Sequence, residues 1–223
     1  MTELLPGAGQ LAVFATAVLV LNATPGADFL LTVSRTLEGG VRAGAAAALG
    51  ISAGCAVHAL AAAFGLAALL ALHPGAFVAL QWAGAAYLAW LGANLLLRAW
   101  QGGPQGAVAP APQPAHAAWA EFRTGLLTNV LNPKVALFFL AFLPPFVPAG
   151  TPSRTASLLL LGVWIVAQGT LFLLGLVLAS SQLRRLGAPA TRDGRWARTL
   201  QGLGGGLFLA LAWRVLKERP VGT

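Results

Sequence analysis

The chain has 223 residues, of which 57% are hydrophobic and only 9% are charged, and its mean hydropathy is +0.76. Its net charge is +8 and its pI is near 11.5. Charge-free stretches as long as Ala43 to Leu97 exclude an ordinary soluble domain and indicate a protein that crosses the lipid bilayer.

The basic residues gather near the ends of the apolar stretches, as the positive-inside rule predicts for a multi-pass membrane protein. No arginine stripe interleaved with aromatic residues is present, so we exclude nucleic acid as a partner. If the spans alternate in direction, one side carries most of the basic residues, and we expect that side to be cytoplasmic and the termini to be external. That side holds Arg35, Arg42, Arg98, Arg123 and the cluster from Arg184 to Arg198, whereas Arg214, Lys217 and Arg219 oppose this orientation.

The first predicted span runs from about Gly9 to Val33 and contains Pro25. Proline removes a backbone donor and clashes with the preceding turn, so we expect the helix to kink or restart there. A turn containing Gly39 and Gly40 ends this span.

The second predicted span, Ala43 to Leu72, carries Gly50, Gly54 and His58 on one helical stripe. Small residues in a GxxxG pair let another helix approach closely, either within the chain or in a homo-oligomer. His58 then points inward. It is either a functional group or a neutral histidine hydrogen-bonded between helices.

The third predicted span, Phe77 to Leu97, holds Tyr87 near its middle, where the hydroxyl either lines a cavity or bonds to another helix. A Pro, Gly and Ala-rich linker at residues 101–121 follows. It separates a first three-helix repeat, residues 1–100, from a second, residues 122–223.

The second half contains three further predicted spans, Phe122 to Val147, Thr155 to Ser180 and Thr199 to Leu216. The first of these contains Pro133, so superimposing the halves places Pro25 on Pro133. A copy that follows an odd number of crossings enters the membrane from the opposite side. We therefore predict an all-α membrane protein with six transmembrane helices arranged as two inverted three-helix repeats, in which helices 1 and 4 are broken.

Asp28 and Lys134 are the charges that lie well inside apolar spans. A central Asp or Lys costs about 2.5–3.5 kcal/mol on the insertion scale, which suggests that these residues are used. Asp28 follows the first break and suits the positive end of the restarted helix, so one alternative is a purely structural role near the membrane surface. Lys134 follows the second break, where a positive charge is unfavourable at the positive end of the restarted helix. It therefore requires either an anionic partner or an extended side chain that reaches the headgroups.

These residues suggest a site for a zwitterion. The carboxylate of an amino acid would bind near Gly26 and Lys134, and its ammonium group near Asp28, Asn22 or Asn132. As a hypothesis, Asp28 also carries a coupled proton, because burial favours the neutral form of a carboxyl group. The candidate substrate and proton site comprises Asn22, Pro25, Gly26, Asp28, His58, Tyr87, Asn129, Asn132, Pro133 and Lys134.

Several segments resemble the LysE/RhtB family of bacterial amino-acid exporters: Thr-Pro-Gly-Ala-Asp-Phe-Leu-Leu at residues 24–31, Ala-Leu-Gly-Ile-Ser-Ala-Gly before His58, and Thr-Asn-Val-Leu-Asn-Pro-Lys at 128–134. The family pattern usually reads Pro-Gly-Pro, and Ala27 replaces the second proline here. The resemblance implies a six-span inner-membrane protein that uses the proton gradient to export amino acids or related small metabolites.

Other functions fit less well. A metal or inorganic-cation exporter needs several core carboxylates, histidines or cysteines, and the apolar spans offer Asp28, His58 and Cys55. A membrane thiol-disulfide enzyme needs paired cysteines, whereas Cys55 is the single cysteine. We therefore expect no enzyme activity, no cofactor and no metal site, and we expect small solutes, protons and the lipid bilayer as partners. A non-transporting assembly protein remains a further alternative.

Overall fold

The computed structural model describes residues 4–72, 76–101, 118–148, 150–185 and 195–217. All regular secondary structure in these residues is helical, which confirms the all-α fold class. The helices are α1 Ala8–Ala23, α2 Ala27–Leu72, α3 Ala76–Gln101, α4 Ala118–Val130, α5 Pro133–Phe142, α6 Arg154–Arg185 and α7 Arg195–Lys217, with a 3-10 turn at Pro144–Phe146.

Most of the predicted linker at residues 101–121 lies outside the described residues. Its two ends are helical, because α3 extends to Gln101 and α4 begins at Ala118. The predicted linker is therefore too long at its C-terminal end, where Glu121 already lies within the first turn of α4.

Both predicted proline breaks are present. Helix α1 ends at Ala23, and α2 begins at Ala27 beyond Pro25. Helix α4 ends at Val130, and α5 begins at Pro133, where proline fits because the first residues of a helix have no intrahelical partner for their N–H groups. The chain bends by 54° across this second break.

Helix α2 contains a sharp turn at Gly40, whose φ of 77° and ψ of −171° are not helical. A Cβ added at Gly44 would lie 3.1 Å from the Cα of Thr36, whereas eight residues of continuous helix span about 12 Å. The helix therefore folds back at Gly40 into a first arm, residues 27–39, and a second arm, residues 41–72. The predicted glycine turn is confirmed.

The second arm of α2 packs backbone to backbone against α4. A Cβ at Gly50 would collide with the Phe122 carbonyl, one at Gly125 would collide with the Ala47 carbonyl, and one at Gly54 would lie 2.8 Å from Asn129 Cβ. The predicted GxxxG stripe therefore joins two helices of the same chain. This close approach is what brings Asn129 against α2.

Buried aromatic rings lie between α1 and the segment that follows the second break. Phe14 stacks on Phe142 with ring centroids 5.3 Å apart and meets Phe146 edge-on at 5.1 Å. A second buried cluster joins both arms of α2 to α6 through Leu31, Ala47, Ala48, Ile51, Leu173 and Val177.

By length and composition, residues 27–65 of α2 and 154–182 of α6 are candidate membrane-crossing segments, and the bent pair of α4 and α5 adds a third. Because α2 folds back at Gly40, its two arms do not form one straight span. Exposed apolar side chains such as Phe64, Val163 and Leu171 give the helices lipid-compatible surfaces. The number of six spans and the inverted repeat stay predictions.

We predict that Gly50→Ala lowers the melting temperature of the detergent-solubilised protein. The added methyl group overpacks the contact between α2 and α4, which destabilises a fold by about 1–3 kcal/mol. Gly65→Ala, in the same arm, is the matched control because nothing lies within 4 Å of its Cβ position. Equal melting temperatures for the two variants would contradict the tight contact.

Candidate functional site

A cavity of about 70 Å³ lies where the two helix breaks meet the second arm of α2 and the middle of α6. At about 10–15 Å³ per water, this space holds roughly five waters, so it suits a small solute. Its polar lining comes from both breaks and its apolar lining mainly from α5 and α6. The lining includes Asn22, Thr24, Gly26, Asp28, Ser52, Cys55, Asn129, Asn132, Lys134, Val135, Phe138, Phe139, Ile165, Val166, Gly169 and Thr170.

Asp28 lies in the first turn of α2 and points into this cavity. Its Oδ2 accepts a hydrogen bond of 2.9 Å from Asn129 Nδ2, which links the first arm of α2 to α4. Its Oδ1 is buried without a hydrogen-bond partner among the described residues. The carboxylate has four polar or basic neighbours: Asn129, Lys134, Asn132 and His58.

Lys134 lines the same cavity from the first turn of α5. Its Nζ lies 3.6 Å from the position that a Cβ on Gly26 would occupy, so a larger residue at 26 would crowd the ammonium group. The Lys134 backbone N–H donates to Asn132 Oδ1 at 3.1 Å, which caps the start of α5. The breaks therefore place one acidic and one basic side chain in one cavity.

Two asparagines add unpaired polar atoms to the site. Asn22 Nδ2 and Asn129 Oδ1 are buried without hydrogen-bond partners among the described residues. Asn22 faces Gly169 of α6, whose missing side chain leaves room for the amide. With Asp28 Oδ1, the site presents one unpaired donor and two unpaired acceptors, and buried groups of this kind need a partner such as water or a ligand.

His58 and Tyr87 do not line the cavity. His58 Nε2 lies 3.0 Å from the Asn129 carbonyl oxygen, and its ring stacks on Phe139. Tyr87 donates a hydrogen bond of 3.0 Å to the Lys134 carbonyl oxygen. Both therefore hold the backbone of residues that do line the cavity, which matches the interhelical alternative for each.

Most residues that line the cavity were not among the predicted site residues, including the polar side chains of Ser52, Cys55 and Thr170. Ser52 and Thr170 bring their hydroxyl oxygens to 2.7 Å between α2 and α6, and Cys55 is half-buried and lines the same cavity. Ser52 and Cys55 lie on the helix that carries the glycine stripe. Hydroxyl residues of this kind are common within apolar helices, so sequence alone did not single them out.

Among the described residues, no group of three or more His, Cys, Asp or Glu side chains is arranged to hold a metal ion. The charged and amide groups at the cavity instead provide both hydrogen-bond donors and acceptors, an arrangement that suits an organic zwitterion.

Known proteins with similar sequences identify the family of this chain. Residues 19–219 match the LysE type translocator family. The chain belongs to the LysE family. This LysE translocator is 34% identical over 188 residues to an uncharacterized membrane protein of Pseudomonas aeruginosa, covering 80% of this chain and 86% of that protein.

Two further relatives carry functional names. A homoserine/homoserine lactone efflux protein of Salmonella typhi is 29% identical over 156 residues, covering 70% of this LysE protein and 73% of that one. A leucine efflux protein of an Enterobacter species is 29% identical over 189 residues, covering 82% of each. No solved structure matches the chain. The family resemblance and the location in a bacterial membrane are confirmed.

We predict that Tyr87→Phe lowers the stability of this LysE protein by about 0.5–1.5 kcal/mol, the net value of one hydrogen bond. Because the hydroxyl lies outside the cavity, the KM of transport should stay within about twofold of wild type. Melting temperature and concentration-dependent uptake into inverted vesicles measure the two effects. A KM raised tenfold with unchanged stability would place Tyr87 in the binding site instead.

Proposed function

We propose that this protein exports amino acids or related small metabolites from the bacterial cytoplasm and binds them in the cavity between the two helix breaks. The observation that carries the proposal is the meeting of Asp28, Lys134 and three unpaired polar atoms around one small space. The efflux functions named for the homoserine and leucine relatives support the same substrate class.

The geometry supports a specific orientation of the solute. Asp28 Oδ1 and Asn129 Oδ1 accept no hydrogen bond from the part of the chain that the structure describes, so they suit an ammonium group. Asn22 Nδ2, the Lys134 ammonium group and the start of α2 at Gly26 suit a carboxylate. The side chain of the solute then lies against Phe138 and other apolar residues of α5 and α6.

Export also needs an energy source and a way to expose the site to each side in turn. We propose that Asp28 binds the coupled proton, because this carboxylate lines the cavity and its Oδ1 forms no hydrogen bond with the residues that the structure describes. Protonation would remove the charge that attracts the ammonium group, so solute and proton would compete for the same residue. Alternating access would then exchange one for the other across the membrane.

The proposal includes the architecture that the sequence predicts, with six spans in two inverted repeats. Each half contains a helix broken at proline, a long helix that follows it and a third helix, in the order α1–α2–α3 and α4–α5–α6–α7. Helices α3 and α7, one from each half, contact each other through Gly92 and Gly205. The shared order of helices in the two halves and the contact between α3 and α7 support two inverted repeats, residues 1–100 and 122–223, with six spans in total.

We predict that Asp28→Asn abolishes export of the amino acid that the wild-type protein exports. Cells fed dipeptides release the accumulating amino acids, and the difference between cells with and without the protein identifies the substrate. Asp193→Asn changes the other aspartate of the chain and is the matched control, with export within about twofold of wild type.

The same pair of variants tests proton coupling in reconstituted vesicles. With wild-type protein and Asp193→Asn, an imposed pH gradient should accelerate uptake of the identified amino acid, and with Asp28→Asn the acceleration should vanish. Gradient-driven transport by Asp28→Asn at the wild-type rate would remove Asp28 from the mechanism. Wild-type cells that release no amino acid or related metabolite would contradict the proposed function itself.

A further inference from the structure

A buried charged pair joins the first arm of α2 to α4, away from the cavity. Arg35, in the first arm of α2, and Glu121, at the start of α4, are only 4% and 2% exposed. Arg35 Nε lies 3.0 Å from Glu121 Oε2, although the N–H does not point at the oxygen, so the contact is ionic and not a well-formed hydrogen bond. Arg35 also contacts Glu38, one turn along its own helix, at 3.3 Å.

The pair and the substrate site are two cross-links between one pair of helices. The first cross-link is the hydrogen bond between Asp28 and Asn129, and the second is the ion pair between Arg35 and Glu121. Seven residues separate Asp28 from Arg35, which is about 10 Å along a helix, and eight separate Glu121 from Asn129, about 12 Å. The ion pair therefore links the first arm of α2 to α4 about two helical turns from the Asp28–Asn129 bond.

The proposed repeat gives each residue of this charged pair a counterpart in the other half of the chain. Aligning Pro25 with Pro133 places Arg35 on Leu143, Glu38 on Phe146 and Glu121 on Val13. Leu143 and Phe146 are buried in the main apolar core, and Val13 packs against it. The corresponding contact between α1 and the segment after the second break is thus apolar and aromatic.

A charged pair is therefore not needed to hold these helices together. Replacing a buried ion pair with packed apolar residues is often neutral or stabilising, because removing two charges from water is unfavourable. The two kinds of contact differ when they open. Separated charges are solvated by incoming water, whereas a separated apolar contact exposes hydrophobic surface.

We propose that Arg35 and Glu121 form a latch that opens and closes one entrance of the cavity, while the aromatic contact of Phe14, Phe142 and Phe146 closes the opposite entrance. The latch lies on the arginine-rich side that we expect to be cytoplasmic. Arg35 and Glu121 are positioning residues that do not touch the solute. This inference rests on the proposed transport function, since a latch has a role only if the cavity is reached from both sides.

The single cysteine of the chain provides a direct reporter. Cys55 lines the cavity, so its rate of reaction with a membrane-impermeant methanethiosulfonate reports access to the site. The test compares this labelling rate in inside-out and right-side-out vesicles, with Cys55→Ser protein as the control for labelling specificity.

Glu121→Gln should raise the labelling rate about tenfold in one vesicle orientation and leave the other unchanged, because the latch loses its charge partner. The double variant Arg35→Leu, Glu121→Val copies Leu143 and Val13, the aligned residues of the apolar contact. It should insert normally, label more slowly than wild type from that same side and transport at least tenfold more slowly. Glu38→Gln is the matched acid-to-amide control. It should change labelling less than twofold, because Glu38 does not link the two helices.

Three results would overturn the latch. These are unchanged labelling in Glu121→Gln, equally raised labelling from both sides, or failure of both Glu121→Gln and the double variant to insert, which would make the pair a folding determinant. Labelling does not depend on the identity of the solute. A wild-type protein that exports nothing while its labelling responds as expected would therefore contradict the proposed function and leave the latch geometry standing.

Discussion

The structure depends on how a helix can be interrupted inside an apolar environment. Around Pro25 and again around Pro133, backbone groups lose their helical partners, and lipid cannot replace them. Such breaks persist only where protein or a hydrated space receives the freed groups. In this chain the two breaks lie against each other, so each contributes to the polar environment that the other needs, and the cavity between them follows from that constraint.

The helices on either side of the breaks have two roles. Asp28 and Asn129 form part of the site, and Arg35 and Glu121 lie two turns away on the same two helices. Any movement that separates the first arm of α2 from α4 must alter both contacts. The first arm of α2 ends at the Gly40 turn, close in sequence to Arg35. In the proposed mechanism, solute binding at the first contact is therefore coupled to opening at the second.

Sequence reasoning located the features that follow from local chemistry. Prolines mark the breaks, paired glycines mark the turn at Gly40 and the packing stripe, and Asp28 and Lys134 stand out because charges within apolar spans are rare. His58 and Tyr87 also stand out as polar residues within apolar spans, but their partners depend on how separate helices dock. Each bonds to a backbone carbonyl more than 40 residues away, which no local pattern specifies.

Arg35 and Glu121 were missed for the same reason. Both stand near the ends of apolar stretches, where charges normally face water, and their burial arises only when α4 packs on α2 through Gly50 and Gly125. The most direct test of the whole account is an experimental structure with an exported amino acid bound. We expect two interrupted helices, with the ammonium group of the amino acid within about 3.2 Å of Asp28, the usual hydrogen-bond range. Continuous helices through both prolines, or a solute bound away from Asp28 and Lys134, would contradict it.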